Sequence, residues 1–329
     1  MKRSELRETL AQLILGGEPT LTSAEATAKG GLSLEDGQRL WRAFGFPDTA
    51  DSLAYGDSDV DAIATVAMAL KTGLMDEQTV FRMTRALGTT MAKLADWQVS
   101  ALVEQVEHDV HDGKSRTRLE AAVDLARTAA PGFEKLMVYA WRRHLAAAAA
   151  RIEALGAADE ELLSTQMTVG FADLSRFTSL SNDLDDNALA ALVENFETRC
   201  ADIVTSHGGR VIKTLGDAVL FVCDDPLEGT RTAIDLVKQI AMRADLPNVC
   251  VGLATGSVVS RLGDVYGPPV NLAARLSHVA RSNRVLVDEA TAAALNDEFD
   301  TRALPPRPLR GFGNISPITV SERRGFRAR

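Results

Sequence analysis

The stretch at 208–221, GGRVIKTLGDAVLF, sets a lysine inside one apolar run, Arg210 to Thr214, and an aspartate in the turn before a second run, Ala218 to Phe221. Runs of this length and composition read as two strands of a hairpin. An uncompensated charge in a buried strand is disfavoured by several kcal/mol, so Lys213 and Asp217 each call for a partner, a metal or a ligand. A second aspartate, Asp173, closes the apolar run MTVGFA within FADLSRFTSLS. Two carboxylates brought side by side repel unless a cation lies between them. Hard divalent ions such as Mg²⁺ take oxygen ligands, commonly one or two carboxylates completed by substrate phosphates. Ser175, Thr178 and Ser179 follow Asp173 just ahead of a helix, where backbone N–H groups are available to phosphate oxygens. A further set lies in GDVYGPPVNLAARL at 263–276: Asn271 and Arg275 are four apart and share one helix face, and Asp264 stands one loop before them. One more basic residue, Arg310, sits in LRGFG near the end of the chain.

Positioning these groups falls to the second half of the chain, where strands alternate with helices. The expected order is a strand at 167–172, a helix through Leu189, Phe196 and Val204 stopped by Gly208–Gly209, the two hairpin strands, a helix at 226–243 and a strand at 249–255. A helix at 269–280, a strand at 284–287, a short helix at 288–295 and late strands near 299–303 and 315–321 follow. This β-α-β-β-α-β order predicts an α+β, ferredoxin-like (palm-type) core with appended elements. In such a core the first strand and the hairpin are sheet neighbours, which brings Asp173 and Asp217 to one edge.

The first half is helical in period nearly throughout. Ile63, Val66, Ala67 and Leu70 recur at helical steps between acidic Asp57, Asp59 and Asp61 and a terminating Gly73. Further helices are expected at 4–15, 22–29, 34–43, 77–86, 89–110 and 116–129. Pro131–Gly132 predicts a break, after which Phe133 to Leu155 forms one long amphipathic helix with Gly156 as its cap, either a core helix or a lever and dimer seam. The division is an all-helical domain at 1–130, a connecting helix and linker at 131–164, and an α+β domain at 165–329.

The 329 residues suffice for two domains, and 46% apolar with 25% charged residues is the composition of a soluble globular protein. A formal charge of −9 argues against a broadly basic nucleic-acid surface. Residues 1–165 carry −7 of it, against a helix-turn-helix reading of LTSAEATAKGGLSLEDGQRLWRAFG, and 166–329 carry −2, which makes the second half the better host for a polyanion. LAQLIL near the start is too short for a signal peptide, and no apolar run reaches the ~18 residues of a membrane span. Cys200, Cys223 and Cys250 lack CxxC spacing and read as small core residues, so a reducing, cytoplasmic location is expected.

From about 167 to 321 the chain resembles the catalytic domain of the class III nucleotide cyclases, the adenylate cyclase family, in FADLSRFT, GGRVIKTLGDAVLF and GDVYGPPVNLAARL. The resemblance implies conversion of ATP to 3′,5′-cyclic AMP and pyrophosphate. Asp173 and Asp217 would hold two Mg²⁺ or Mn²⁺ ions per site, and Lys213 and Asp264 would read adenine. Asn271 would orient the ribose, Arg275 would stabilise the transition state, and Arg310 stands where the family places a basic residue, more usually lysine, on the terminal phosphates. Lys213 can donate to adenine N1 and Asp264 can accept from the 6-amino group, a pattern that guanine reverses. The family's sites form between subunits, so a homodimer is implied. The helical half resembles the regulatory domain that precedes some actinobacterial adenylate cyclases, in GQRLWRAFGF, DSDVDA and FRMTRALGTTMAKLADW.

Two other readings meet specific objections in the residues. A diguanylate cyclase is opposed by the absence of a GG[DE]EF core in GGRVIKTLGD, and a catalytically silent, cyclase-like nucleotide sensor by the retention of both metal aspartates and the arginine. Of five histidines, His108, His111 and His144 lie on or ahead of the connecting helix, where acidification would add charge to a packing surface; His207 and His278 read as ordinary.

Overall fold

A computed structural model describes residues 3–47, 49, 52–73, 75–154, 164–261 and 263–323. The chain divides into two compact units, 1–151 and 152–329. The first is all helix: α1 (Arg3–Leu15), α2 (Ser23–Gly30), α3 (Leu34–Phe44), α4 (Asp57–Thr72), α5 (Glu77–His111) and α6 (Arg118–Ala154). Side-chain caps start three of them. Thr22 and Glu25 form a reciprocal capping box at α2, and Ser33 and Asp76 accept from the N–H groups of Asp36 and Thr79 at α3 and α5. Leu40, Trp41, Tyr55, Ile63 and Phe81 make the core of this unit.

Two expected helix breaks are absent. The segments read as 77–86 and 89–110 are one helix, because Gly88 serves packing rather than termination: a Cβ there would lie 2.2 Å from the carbonyl oxygen of Phe44, where α3 crosses α5. Pro131 also lies inside a continuous helix, α6. Proline removes one N–H and crowds the preceding turn, which weakens a helix locally without ending it when strong helix formers such as Ala129, Ala130, Leu136 and Ala140 flank it. The expected cap at Leu155–Gly156 and the rest of the linker to 163 lie outside the described residues.

The second unit is the α+β domain. It comprises β1 (Ser164–Leu174), α7 (Phe177–Ser181), α8 (Asp186–Ser206), β2 (Arg210–Thr214), β3 (Ala218–Cys223), α9 (Pro226–Ala241), β4 (Val249–Arg261) and β5 (Asp264–Tyr266). Then follow α10 (Pro268–Val279), β6 (Arg284–Val287), α11 (Glu289–Ala293), β7 (Phe299–Ala303), β8 (Arg307–Leu309), β9 (Gly313–Ile315) and β10 (Ile318–Glu322). The main sheet runs β2-β3-β1-β4-β6-β10-β7, with β5 folded back on β4, and β8 and β9 form a separate small ribbon. All pairings are antiparallel except β4 with β6. The β1-α8-β2-β3-α9-β4 portion is the ferredoxin-like core expected.

Strand alternation sorts the core onto two faces. Ala172, Leu174, Val219, Phe221, Val249 and Val251 pack with Phe196, Cys200, Ala233 and Leu236 of α8 and α9. Met167, Val169, Phe171, Leu220, Val222 and Ala254 face the other way, with Ala273 of α10. The sheet admits α10 closely because β4 has Gly252 under it: a Cβ there would sit 2.2 Å from the carbonyl oxygen of Ala273. Cys200, Cys223 and Cys250 are buried and free.

Candidate active site

Asp173 follows Val169 and Phe171 at two-residue steps, so it stands on the α10 side of the sheet, at the end of β1. The ladder sets it opposite Ala218 of β3 and Cys250 of β4. Asp217, one residue before Ala218, is thereby carried to the same end, and the Leu174 N–H donates to the Asp217 carbonyl at 2.9 Å. The two aspartates named in the sequence therefore do meet. Burial, and then the negative charge of Asp217, push the Asp173 carboxyl above the ordinary carboxylate range, and His278 of α10 pulls the other way. His278 Nδ1 lies 3.9 Å from Asp173 Oδ2. A half-buried carboxylate with an acidic neighbour suits a divalent cation. Among the described residues no group of three or more His, Cys, Asp or Glu is arranged for a metal. An oxygen-seeking ion here would complete its shell from phosphates, water or backbone carbonyls.

Lys213 is not buried as its strand position suggested: its side chain is 41% exposed, and the outer end of β2 is open. Its charge is matched within the chain, by Asp264 Oδ2 at 2.5 Å from Nζ. A β-bulge makes this possible. Val211 pairs with Phe221 but Lys213 pairs with Leu220, so Ile212 and Lys213 together oppose one residue. Strict alternation would return Lys213 to the Val211 side, among the α8 and α9 core; the extra residue turns it to the Leu220 side, shared with Asp173 and α10. Asp264 comes from β5, a three-residue strand that the sequence reading took as loop and that folds back on the last residues of β4. Burial would raise the Asp264 carboxyl, but hydrogen bonds from Lys213 and from the Val265 N–H, which reaches Oδ1 at 2.9 Å, hold it below the usual range.

Asn271 is exposed and Arg275 half-buried on α10. Neither side chain has a hydrogen bond or ion pair among the described residues, and Arg310, exposed in the turn between β8 and β9, has none either. That turn is tied to α10 by Leu309 and Phe312, which pack with Leu272 and Leu276. The chain thus forms two pairs, Asp173–Asp217 and Lys213–Asp264, and among the described residues no side-chain bond links either pair to Asn271, Arg275 or Arg310. The residue the sequence reading passed over is His278. Its spacing held the signal, since Asn271, Arg275 and His278 fall at i, i+4 and i+7 on one stripe of α10.

The Asp173–Asp217 repulsion has a measurable consequence. A carboxyl whose value is raised on folding binds more protons in the folded than in the unfolded chain over the range just above the ordinary carboxylate value. Its contribution to stability is therefore present at acid pH and lost as pH rises through the raised value. Asp173→Asn removes the charge and keeps the shape. In metal-free protein at pH 7–8 the melting temperature should rise by ~2–4 °C, as about 1 kcal/mol does in a domain of this size. The gap from wild type should close on acidification; an unchanged or lower Tm at neutral pH would show that the two charges do not oppose each other.

Comparison with known proteins follows the same division of the chain. The adenylate and guanylate cyclase catalytic domain matches residues 161–320. The chain is 37% identical to an adenylate cyclase of Streptomyces coelicolor over 344 residues, spanning 96% of this chain and 90% of that protein. It is 32% identical to a pH-sensitive adenylate cyclase of Mycobacterium tuberculosis over 343 residues, spanning 98% of this chain and 84% of that protein. Among solved structures, the adenylyl cyclase CyaB of P. aeruginosa aligns at a TM-score of 0.45 and 22% identity over 50% of this chain and 98% of that one. With a cyclase catalytic domain behind an N-terminal helical region, and relatives of this identity along nearly its full length, the chain belongs to the class III adenylate cyclase family.

Proposed function

We propose that this protein converts ATP to 3′,5′-cyclic AMP and pyrophosphate in a homodimer. Each site would combine Asp173 and Asp217 of one chain with Lys213, Asp264, Asn271 and Arg275 of a second copy. The observation that carries this is the state of the α10 groups: Asn271 and Arg275 are left without partners among the described residues, on the helix that packs over the side of the sheet where Asp173 stands. Exposed Trp97 on α5 and Tyr139, Trp141 and Leu145 on α6 add apolar surface of the kind that assembly covers.

Asp173 and Asp217 are the residues that would hold two Mg²⁺ or Mn²⁺ ions. When bound, such ions lower the pKa of the attacking hydroxyl and neutralise the phosphates. In the reaction the ribose 3′-oxygen bonds to the α-phosphorus, the bond from that phosphorus to the bridging oxygen of the β-phosphate breaks, and the hydroxyl proton leaves to solvent. Asn271 orients the ribose for in-line attack. Arg275 places a permanent positive charge against the phosphoryl oxygens as they gain negative charge, and Arg310 does the same for the terminal phosphates. Lys213 donates to adenine N1 and Asp264 accepts from the 6-amino group, so the base enters where each already has a partner to exchange.

The helical unit would regulate this assembly, and pH is the signal we favour. A relative described as pH-sensitive spans the full arrangement, and His108, His111 and His144 are exposed, with His108 paired to Asp112 at 3.2 Å. Added charge on these helices would shift the dimer equilibrium.

Incubation with ATP and Mn²⁺ should yield cyclic AMP and pyrophosphate, and Lys213→Glu with Asp264→Cys should lower ATP turnover more than ~10-fold, since each mismatched polar group costs ~1–3 kcal/mol. A folded protein that makes no cyclic AMP would instead be a silent nucleotide sensor. Asp173→Ala and Arg275→Ala chains should each be nearly inert, while their mixture regains activity from the one intact site per heterodimer; heterodimers without recovery would refute shared sites. Replacing His108, His111 and His144 with Gln should flatten the acid response of the full chain and keep its rate at a fixed alkaline pH. An unaltered pH profile would remove these histidines from control.

A further inference from the structure

The end of α10 is fixed over the end of β1. A Cβ at Gly252 of β4 would collide with the backbone N of Ser277, so helix and strand touch there, and Ser277 is buried. Cys250, which the ladder sets opposite Asp173, donates from Sγ to the Ala280 carbonyl at 3.4 Å. Between these two anchors stands His278, with Nδ1 3.9 Å from Asp173 Oδ2 and its side chain 61% exposed. Among the described residues the ring has no other hydrogen bond or ion pair. A histidine in the last turn of a helix ordinarily needs no further explanation, because its positive form complements the terminal carbonyls. This one is held against a half-buried carboxylate that already has an acidic neighbour.

The separation is what an ion would span. At 3.9 Å the two atoms are too far apart for a hydrogen bond. Two donors on one cation, each bonded at about 2.0–2.2 Å, stand about 3–4 Å from one another. Asp173 and His278 therefore offer one oxygen and one nitrogen to a single ion, and water or phosphate can fill its other positions. The nitrogen brings a preference with it. Mg²⁺ is a hard ion that takes oxygen, whereas the affinity of sites containing nitrogen rises along the first-row series from Mn²⁺ to Co²⁺ and beyond.

We propose that His278 is a further ligand for the cation held at Asp173, and that its imidazole makes this position favour first-row transition ions over Mg²⁺. The assignment rests on the cation-holding role given above to Asp173. It places on α10, beside Asn271 and Arg275, a third residue that serves the reaction, and one that acts on the aspartate of its own chain.

The test uses the full chain as wild type, His278→Ala, His278→Gln and Asp173→Asn, each checked for folding by its thermal melt. Mg²⁺, Mn²⁺ and Co²⁺ are titrated calorimetrically in the presence of 3′-deoxy-ATP, which lacks the attacking hydroxyl, with titrations of the nucleotide alone subtracted. The visible spectrum of bound Co²⁺, which responds to nitrogen ligands, is recorded alongside. Both His278 variants should weaken Co²⁺ binding by about 10-fold and Mn²⁺ binding by less, leave Mg²⁺ within ~2-fold of wild type, and alter the Co²⁺ spectrum. Equal changes for all three ions, or no change, overturn the proposal. Tighter binding of every ion in the variants overturns it as well, because the ring would then act as a positive charge that opposes cations. Unweakened binding of all three ions by Asp173→Asn, or no binding by the wild type, would instead remove the cation-holding role of Asp173 itself, whatever the His278 variants show.

Discussion

The antiparallel ladder between β1 and β4 is the constraint on which the catalytic unit depends. It pairs Ser164 with Val259 at one end and Leu174 with Val249 at the other, while the opposite edge of β1 is taken by β3. Residues opposite one another in such a ladder share a face. Val169, Val222 and Ala254 therefore lie under α10, and Ala172, Val219 and Val251 under α8 and α9. Both faces are buried, so a slip of one residue would exchange the two sets and carry Asp173 into an apolar core. The burial that stabilises the sheet also decides where the Asp173 carboxylate emerges.

The two charged pairs are arranged in opposite ways. Lys213 and Asp264 are unlike charges in contact, half open to water, and each lowers the cost of exposing the other to a polar ligand. Asp173 and Asp217 are like charges brought together by backbone pairing, and among the described residues His278 is the group that offsets them. The first pair is satisfied in the isolated chain and the second is not. That asymmetry suits a surface of which one part exchanges a protein partner for a base and the other gathers cations around phosphate.

The helical unit is built on a different principle. Its short helices are capped at their starts and close on one aromatic and aliphatic cluster in which Trp41 stacks on Tyr55 at 4.9 Å. Its two long helices instead carry large apolar side chains on the outside. Stability in α2, α3 and α4 comes from local capping and packing, whereas α5 and α6 leave Trp97, Tyr139, Trp141 and Leu145 exposed.

Much of this was legible in the sequence because it depends on local periodicity. The change from helical to strand spacing near 165, the β-α-β-β-α-β order and the hairpin turn between Lys213 and Asp217 follow from patterns a few residues long, and the meeting of Asp173 with Asp217 follows from that order. What failed to show was set by partners distant in the chain. The segments read as 77–86 and 89–110 are one helix, in which Gly88 is the point where Phe44 crosses α5, and Pro131 read as a break inside what is one helix. The β2 bulge that turns Lys213 toward Asp264 leaves no mark in VIKT, because a bulge is defined by the strand opposite it. β5 is too short to carry a periodic signal, and it exists because the end of β4 offers it an edge. His278 lay in plain view at helical spacing, but only the packing of α10 across the sheet brings its ring to Asp173. The sequence by itself determined which side chains were available and which strand or helix bears each, since those are properties of neighbours along the chain. The tertiary structure decided which of them face one another, since register and bulges arise between strands.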